Sequence, residues 1–408
     1  MSLLIKPSLL TGKITIPPSK SLSHRAIICA SLCMEGQSKI QNIIFSDDIK
    51  ATIEGMKVLG AGILEEESCI IIKRRNIILN NIIHCNESGS TLRFLIPLSM
   101  ILTDECVFTG NGRLLQRPLD VYYDVFRKSN IKYKINTKEN YLRIRGSLQS
   151  SCYEIPGNIS SQFITGLLFA LPMLEGESLI KITGALESKN YIDLTLDILK
   201  RYNIYIEKID EINYFIKGNQ KYKAHDYTVE GDFSQAAFFL VANELGSSIE
   251  CHGLNYNSLQ GDKRILDIIQ QYSLNPKEII IDSSQIPDIV PIITVIAALK
   301  ENCTTNIVNA GRLRLKESDR LKAIATEMNK LGAFVKETDD GLLIKGRHSL
   351  QGSVTVNSWN DHRIAMALAI AATKCDKPIV LEGHHSVNKS YPKFWYNYHS
   401  LGGIINEL

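Results

Sequence analysis

Apolar and polar positions along the chain follow one pattern that recurs. A short alternating stretch leads into a polar loop, then an apolar run of about ten residues, a polar turn and a second alternating stretch. Alternation with a period of two predicts a strand with one buried face, and an apolar run of this length predicts a buried helix. The pattern begins six times, at Lys13, His84, Tyr153, Tyr227, Ile279 and Val354.

A second, amphipathic helix is predicted after each of the first five copies. Segments such as SDDIKATIEGMKVLGAG and KESDRLKAIATEMNKLGA place apolar residues at i, i+3, i+4 and i+7. We therefore expect the first helix of each copy to be buried and the second to lie at a surface. Six such α/β units in 408 residues fit two domains of three units each.

The overall composition indicates an ordinary globular protein, with 44% hydrophobic and 22% charged residues. The net charge of +3 argues against a protein that binds nucleic acid or membranes through a broad basic face. Nine scattered cysteines without a CxxC pair indicate reduced thiols, a cytoplasmic location and no zinc site. No GxxxxGK[ST] motif occurs, so we expect no nucleotide cofactor.

Polar loops stand immediately before the buried helices, in PSKSLSHR, ESGSTLR, NISSQ, SQIPD and NDHR. A helix N-terminus has unpaired N–H groups and a partial positive charge, which favour anions. The cationic residues at or near such loops are Lys20, Arg25, Arg93, Arg117, Lys316, Arg320, Arg363 and Lys389. If the units are arranged alike, these groups converge on one anionic ligand.

A simpler interpretation treats each serine as a helix cap and each arginine as a solvated surface charge. It is favoured for any one residue taken alone, but not for the whole set. In GRLRLKESDRL, the same two interpretations stay open. Either the charges begin an exposed helix, or Lys316 and Arg320, four residues apart on one helical face, reach one anion together.

The motifs PPSKSLSHRA, ESGSTLRF, QRPL, SSQF, SKNYIDLTL, IPD, LKESDRL, NDHRIAMA and NKSYP occur in a characteristic order. In this order, from Lys13 to about Phe394, the chain resembles the 5-enolpyruvylshikimate-3-phosphate (EPSP) synthase family. The resemblance implies the α/β, two-domain enolpyruvyl transferase fold. Each domain would have three repeated units around a pseudo-threefold axis, with buried helices and outer sheets. The domains would be 20–229 and 1–19 plus 230–408, with the active site in the cleft between them.

The resemblance also implies a reaction. The enolpyruvyl group of phosphoenolpyruvate moves to the 5-hydroxyl of shikimate 3-phosphate by addition and elimination, and phosphate is released. This step belongs to the shikimate pathway, which leads to chorismate and aromatic amino acids. No metal or organic cofactor is implied. We expect a monomer whose partners are these two small molecules, with no nucleic acid and no membrane.

Site residues carried over from the family fall into three sets. Those expected to hold shikimate 3-phosphate are Lys20, Ser21, Arg25, Ser160, Ser161, Gln162, Ser188, Asp288 and Lys316. Those expected to hold phosphoenolpyruvate are Lys20, Gly89, Arg117, Gln162, Arg320, Arg363 and Lys389. In the third set, Asp288 would accept the hydroxyl proton, Glu317 would move protons at the enol carbon and Lys20 would be a proton donor.

Three residues have no assigned role at this stage. Glu87 replaces an amide found in many family members, Arg312 replaces an asparagine, and His362 is only near the site by analogy. The main alternative function is enolpyruvyl transfer to UDP-N-acetylglucosamine, but GNGRLLQRP lacks the cysteine usual before its RP dipeptide. A non-catalytic anion-binding scaffold would be expected to lack Asp288, Glu317 or Lys389. An RNA-end-processing enzyme would need a broadly basic face.

Overall fold

The computed structural model of the chain describes residues 2–75 and 80–408. The chain forms two compact units, each with an apolar core of its own. We call Pro18–Glu230 the continuous unit. The segment up to Pro17 and the segment Gly231–Leu408 together make the discontinuous unit.

Helices and strands account for most of each unit. The helices are α1 (Lys20–Ser31), α2 (Asp47–Val58), α3 (Gly89–Leu102), α4 (Asp120–Lys128), α5 (Ser161–Ala170), α6 (Lys189–Arg201), α7 (Phe233–Glu244), α8 (Ile265–Ser273), α9 (Val290–Ala298), α10 (Arg320–Lys330), α11 (His362–Ala372) and α12 (Phe394–Ser400). Short 3-10 helices span Leu114–Gln116, Leu171–Met173, Gly261–Arg264, Gly311–Leu315 and His384–Lys389.

The strands follow the same repeating order. They are β1 (Ser2–Lys6), β2 (Thr11–Thr15), β3 (Ser38–Gln41), β4 (Ala61–Glu65), β5 (Cys69–Arg74), β6 (Ile82–His84), β7 (Glu105–Thr109), β8 (Lys132–Asn136), β9 (Tyr141–Arg145), β10 (Cys152–Pro156), β11 (Glu177–Thr183), β12 (Glu207–Lys208), β13 (Asn213–Lys217), β14 (Tyr227–Thr228), β15 (Ser248–His252), β16 (Glu278–Asp282), β17 (Thr304–Val308), β18 (Phe334–Thr338), β19 (Gly341–Lys345), β20 (Thr355–Asn357), β21 (Ile379–Glu382) and β22 (Ile404–Glu407).

The first helix of each repeat is buried, as its apolar sequence predicts. These helices are α1, α3 and α5 in the continuous unit and α7, α9 and α11 in the discontinuous unit, and every residue of α9 and α11 is buried. The second helices bury one side only, and α4 buries Val121, Tyr122, Val125 and Phe126. Among the described residues, none of the helices combines the length and hydropathy needed to cross a bilayer.

Each unit contains three sheets. Their strand orders are β14-β3-β5-β4, β6-β7-β9-β8 and β10-β11-β13-β12 in the continuous unit, and β15-β2, β16-β17-β19-β18 and β20-β21-β1-β22 in the discontinuous unit. Each sheet contains one parallel pair. Parallel β6 and β7 are joined through α3, because parallel neighbours need a crossover. In β9, Leu142 and Ile144 are buried while Arg143 and Arg145 are exposed, so one face packs on the core.

The helix predicted from KESDRLKAIATEMNKLGA begins four residues later than its first lysine. Asp319 caps α10, because its Oδ1 accepts a hydrogen bond from the Lys322 amide at 3.1 Å. Lys316 therefore precedes the helix in an extended conformation (φ −86°, ψ −157°). The hypothesis that Lys316 and Arg320 share one helical face is wrong, since Arg320 begins the helix and Lys316 lies before it.

Helices α3 and α5 pack closely at Gly166. A Cβ atom at this position would overlap the carbonyl oxygen of Arg93 and the hydroxyl of Tyr122. The Tyr122 hydroxyl donates to that same carbonyl at 2.7 Å, so it has little freedom to move away. Glycine is therefore required here for a close approach of backbone to backbone.

We predict that Gly166→Ala lowers the free energy of unfolding by about 1–3 kcal/mol, the usual cost of overpacking. Alanine in a helix interior normally makes a protein more stable than glycine does. A loss of stability in Gly166→Ala would therefore indicate the close packing of α3 and α5. Urea denaturation measures the difference. Gly55→Ala in α2 is the matched control, because the atoms nearest its Cβ would be side-chain carbons of Leu95 and Ile83 and not a backbone oxygen. Equal losses in the two variants would contradict the prediction.

Candidate active site

In the continuous unit, Lys20 is the first residue of α1 and forms an ion pair. Its Nζ lies 2.7 Å from Oδ2 of Asp48, in the first turn of α2, and the two side chains are only 16% and 10% exposed. The ammonium group is thereby held at the start of a buried helix. Sequence reasoning missed Asp48, because SDDIK indicates no more than the acidic first turn of a helix.

Arg25, one turn further along α1, is held by three hydrogen bonds. Its Nε donates to Oγ1 of Thr195 at 2.9 Å, and its two terminal nitrogens donate to the carbonyls of Ser21 at 2.8 Å and Tyr191 at 2.9 Å. Burial lowers the pKa of Arg25 to about 10, so it stays charged near neutral pH. Ser188, before α6, has a left-handed backbone (φ 54°).

Gln162 in the first turn of α5 links two helices. Its Nε2 donates to Oγ of Ser90 at 3.0 Å, and its Oε1 accepts from Nη1 of Arg93 at 3.2 Å. Ser160 caps the same helix, since its Oγ accepts from the Gln162 amide at 3.3 Å. Ser161 follows as the first, buried residue of α5. Ser160 has the capping role of the simpler interpretation, while Gln162 connects α5 to α3.

Gly89 begins α3 beneath two guanidinium groups. A Cβ atom at Gly89 would come within 2.7 Å of Nη1 of Arg93 and 2.9 Å of both terminal nitrogens of Arg117. A side chain at this position would require both guanidinium groups to move from their places at this helix start. A helix N-terminus with two adjacent guanidinium groups is well suited to a phosphate or carboxylate.

In the discontinuous unit, buried Arg320 contacts three carboxylates. Its Nε donates to Oδ2 of Asp361 at 2.8 Å, its Nη1 to Oδ1 of Asp288 at 2.8 Å and its Nη2 to Oε2 of Glu317 at 2.7 Å. Burial opposes the charge, but Asp361, Glu317 and Asp288 together raise the pKa of Arg320. The structure thus brings together three predicted residues, Asp288, Glu317 and Arg320, with an unpredicted fourth, Asp361.

Asp288 also lies close to two further cations. Nη2 of Arg363 is 3.4 Å from its Oδ2, and Nζ of Lys316 is 3.9 Å from its Oδ1. Burial lowers the pKa of Lys316 to about 8, although the charge of Asp288 acts in the opposite direction. Lys316 therefore changes charge in a range that binding experiments can reach.

The remaining predicted residues of this unit lie at the start of α11 or beside it. Asp361 caps α11 by accepting from the Arg363 amide at 2.9 Å, and it also accepts from Oγ of Ser318 at 3.1 Å. Lys389 donates to the carbonyl of Asn360 at 2.5 Å, which places its ammonium next to the same helix start.

A further buried carboxyl group, Asp262, belongs to the short 3-10 helix before α8. It accepts a hydrogen bond from Oγ of Ser234. Burial, and then the charge of Asp288, raise the pKa of Asp262 to about 7, while Arg363 opposes the shift. Sequence reasoning missed Asp262, because the motif QGDK has no recognisable chemistry.

The residues left without a role have defined surroundings. Arg312 donates to the Ser284 carbonyl at 2.5 Å, and the carboxylate of Glu87 packs beside Gly112. His362 is buried, with Nδ1 3.9 Å from Oδ1 of Asp361. These contacts assign no catalytic role. In residues 2–75 and 80–408, no three His, Cys, Asp or Glu side chains are grouped as a metal ion requires.

Comparison with known proteins identifies the family of the chain. A sequence model described as EPSP synthase (3-phosphoshikimate 1-carboxyvinyltransferase) matches residues 4–398. The chain belongs to this family. The 3-phosphoshikimate 1-carboxyvinyltransferase of Clostridium novyi (strain NT) is 51% identical over 99% of this chain and 98% of that protein. The protein of the same name from Clostridium acetobutylicum is 53% identical over the same shares of the two chains.

Solved structures of EPSP synthase support the fold. A structure of the enzyme from Acinetobacter baumannii, determined at 2.37 Å, superimposes with a TM-score of 0.80 over 99% of both chains, at 22% identity. A second structure from the same organism gives 0.79 over both complete chains. The predicted α/β fold class of the EPSP synthase family is confirmed.

We predict that Asp361→Ala lowers the free energy of unfolding by about 3–5 kcal/mol, because it removes one partner of a buried ion pair. Asp319→Ala is the matched control. It also removes a helix-capping aspartate, but a partly exposed one, and should cost about 1 kcal/mol. Urea denaturation measures the loss of unfolding free energy in each variant. Equal losses in Asp361→Ala and Asp319→Ala would contradict a special role of Asp361.

Proposed function

We propose that this chain carries out the reaction for which its relatives are named. It transfers the enolpyruvyl group of phosphoenolpyruvate to the 5-hydroxyl of shikimate 3-phosphate, which releases phosphate and forms 5-enolpyruvylshikimate 3-phosphate. The observation that carries this conclusion is the family match over residues 4–398. The basic helix starts of both units support it, because both substrates are anions.

We propose that the site residues form two overlapping sets, one for each substrate. Shikimate 3-phosphate is held by Lys20, Ser21, Arg25, Ser160, Ser161, Gln162, Ser188, Asp288 and Lys316. Phosphoenolpyruvate is held by Lys20, Gly89, Arg117, Gln162, Arg320, Arg363 and Lys389. The contact of Gly89 with the Arg93 and Arg117 guanidinium groups supports the second assignment.

The chemistry is an addition followed by an elimination. Asp288 accepts the proton of the 5-hydroxyl as its oxygen attacks C2 of phosphoenolpyruvate, while C3 gains a proton. Glu317 and Lys20 serve the proton transfers at C3, and phosphate then leaves from the tetrahedral adduct. The fixed contacts of Asp288 and Glu317 with Arg320 support these roles, since a general base works best when it is held in one position.

We also propose a domain organisation, an oligomeric state and a location for the enzyme. The lobes 20–229 and 1–19 plus 230–408 are the catalytic domains, and residues of both lobes act on the same pair of substrates. The enzyme works as a monomer in the cytoplasm, without metal or organic cofactor. The nine free cysteines are in keeping with a reducing compartment.

We predict that purified protein releases phosphate when phosphoenolpyruvate and shikimate 3-phosphate are supplied together, and releases none with either alone. The reason is that elimination requires the adduct of both substrates. A coupled phosphate assay measures the rate. Equal release with UDP-N-acetylglucosamine in place of shikimate 3-phosphate would contradict the proposed function.

The same assay tests the general base. Asp288→Asn should lower kcat by about a hundredfold or more, the usual contribution of such a group. Asp267→Asn, an exposed aspartate on α8, is the matched control and should keep wild-type activity. Unchanged turnover in the first variant would remove Asp288 from its proposed role and leave the reaction itself in place.

We predict that binding of shikimate 3-phosphate weakens as the pH rises above about 8. The pKa of Lys316 is about 8, so its ammonium is charged below this pH and increasingly neutral above it. The dissociation constant should then rise by at most about tenfold per pH unit. Titration calorimetry between pH 7 and 9.5 measures the trend. Lys316→Arg keeps its charge and should give a flatter curve, whereas parallel curves would contradict the prediction.

A further inference from the structure

A chain of buried hydrogen bonds connects the first three helices of the continuous unit. Nδ1 of His24 on α1 lies 2.7 Å from Oγ1 of Thr52 on α2, and this hydroxyl lies 2.7 Å from Oγ1 of Thr91 on α3. Thr91 in turn lies 2.7 Å from Oγ of Ser88, the cap of α3. All four side chains are at most 1% exposed.

His24 is neutral in this environment. Burial, followed by the charges of Lys20 and Arg25, lowers the pKa of His24 well below its ordinary value. Because the Thr91 hydroxyl donates towards Ser88 and Asp48, it accepts from Thr52, and Thr52 in turn accepts from the Nδ1–H of His24. The other ring nitrogen, Nε2, is buried and has no hydrogen-bond partner in the described part of the chain. Such a group costs about 1–3 kcal/mol of stability, so an imidazole here calls for another reason.

Both ends of this hydrogen-bond chain reach predicted phosphoenolpyruvate residues. His24 follows Lys20 by one turn of α1. Thr91 donates at 3.4 Å to the carbonyl of Asp48, whose carboxylate binds the Lys20 ammonium. At the other end, Ser88 caps α3 directly before Gly89. The chain therefore joins the backbone positions from which Lys20 and Gly89 are presented.

The shikimate 3-phosphate residue Arg25 is held through a different pair of hydroxyls. Its Nε donates to Thr195 on α6 at 2.9 Å, and Thr195 lies 3.1 Å from Oγ1 of Thr165 on α5. This pair is also fully buried. His24 and Arg25 are neighbours on α1, but their hydrogen bonds lead to different helices. Arg25 thus has a buried support separate from the network that joins Lys20, which is assigned to both substrates, and Gly89.

We propose that His24, Thr52 and Thr91 are positioning residues for phosphoenolpyruvate, which fix Lys20 and Gly89 without touching either substrate. The inference rests on the proposed function and adds to it residues that bind neither substrate. A hydrogen-bonded network between buried side chains allows fewer alternative arrangements than apolar packing does. Small displacements of a binding group are costly for activity, which is why such support matters.

The decisive variant is Thr52→Val, which keeps the shape of the side chain and removes its hydroxyl. We expect the KM for phosphoenolpyruvate to rise about tenfold. The KM for shikimate 3-phosphate should rise clearly less, because Lys20 is its one proposed residue that the network fixes and Arg25 has its own support. Thr52→Ser restores the hydroxyl and should return the KM for phosphoenolpyruvate close to the wild-type value. Steady-state phosphate release with each substrate varied in turn supplies both KM values for the wild type and for each variant.

The matched control is Thr165→Val, which removes an equally buried threonine hydroxyl from the same unit. It should raise the KM for shikimate 3-phosphate and leave that for phosphoenolpyruvate unchanged. Thermal denaturation of each variant shows whether it folds. If Thr52→Val does not fold, His24→Leu takes its place, because it removes the ring nitrogen that contacts Thr52 and the same selective rise is expected.

Two results would overturn the inference. One is an active Thr52→Val enzyme with both KM values unchanged, and the other is an equal rise of both, which a general loss of packing would cause. Either outcome leaves the proposed function intact, because the wild-type enzyme would still convert both substrates. A wild-type protein that releases no phosphate from the substrate pair would instead contradict the proposed function, and this inference with it.

Discussion

A buried charge at a helix start needs a partner, and this constraint organises both units. Arg320 is almost wholly buried and would be very costly without partners, yet three carboxylates surround it. Lys20 meets Asp48 in the same way at the start of α1. These ion pairs also fix the directions of the side chains. Side chains paired in this way are already ordered in the absence of a ligand.

The apolar core explains why the charged groups lie where they do. The first helix of every repeat is buried on all sides, so its side chains can interact with solvent or ligand only near its ends. Close packing then transmits position between helices. At Gly166, α5 presses on the Arg93 carbonyl of α3, and the side chain of Arg93 reaches Gln162 at the start of α5.

The buried hydroxyl groups have a role that apolar packing could not provide. Thr52, Thr91, Thr165 and Thr195 sit between helices where valine would fill the same volume. Their hydrogen bonds are directional, so they specify how one helix is rotated against the next. One set of these hydrogen bonds leads to Asp48, the partner of Lys20, and the other leads to Arg25.

Much of this protein could be predicted from its sequence. Periodicity reports burial directly, and so the repeats, the buried first helices and the α/β class followed from local pattern. The ordered motifs identified the family.

The partners of the charges could not be predicted in this way. Asp48, Asp361 and Asp262 look like ordinary helix-start or turn residues until tertiary packing brings Lys20, Arg320 and Asp288 near them. Lys316 was placed on the wrong element because the choice of Asp319 as cap depends on a single local hydrogen bond. The sequence alone determined which residues carry charge and which helices are buried, and only the tertiary structure decided which charges meet, because pairing depends on groups far apart along the chain.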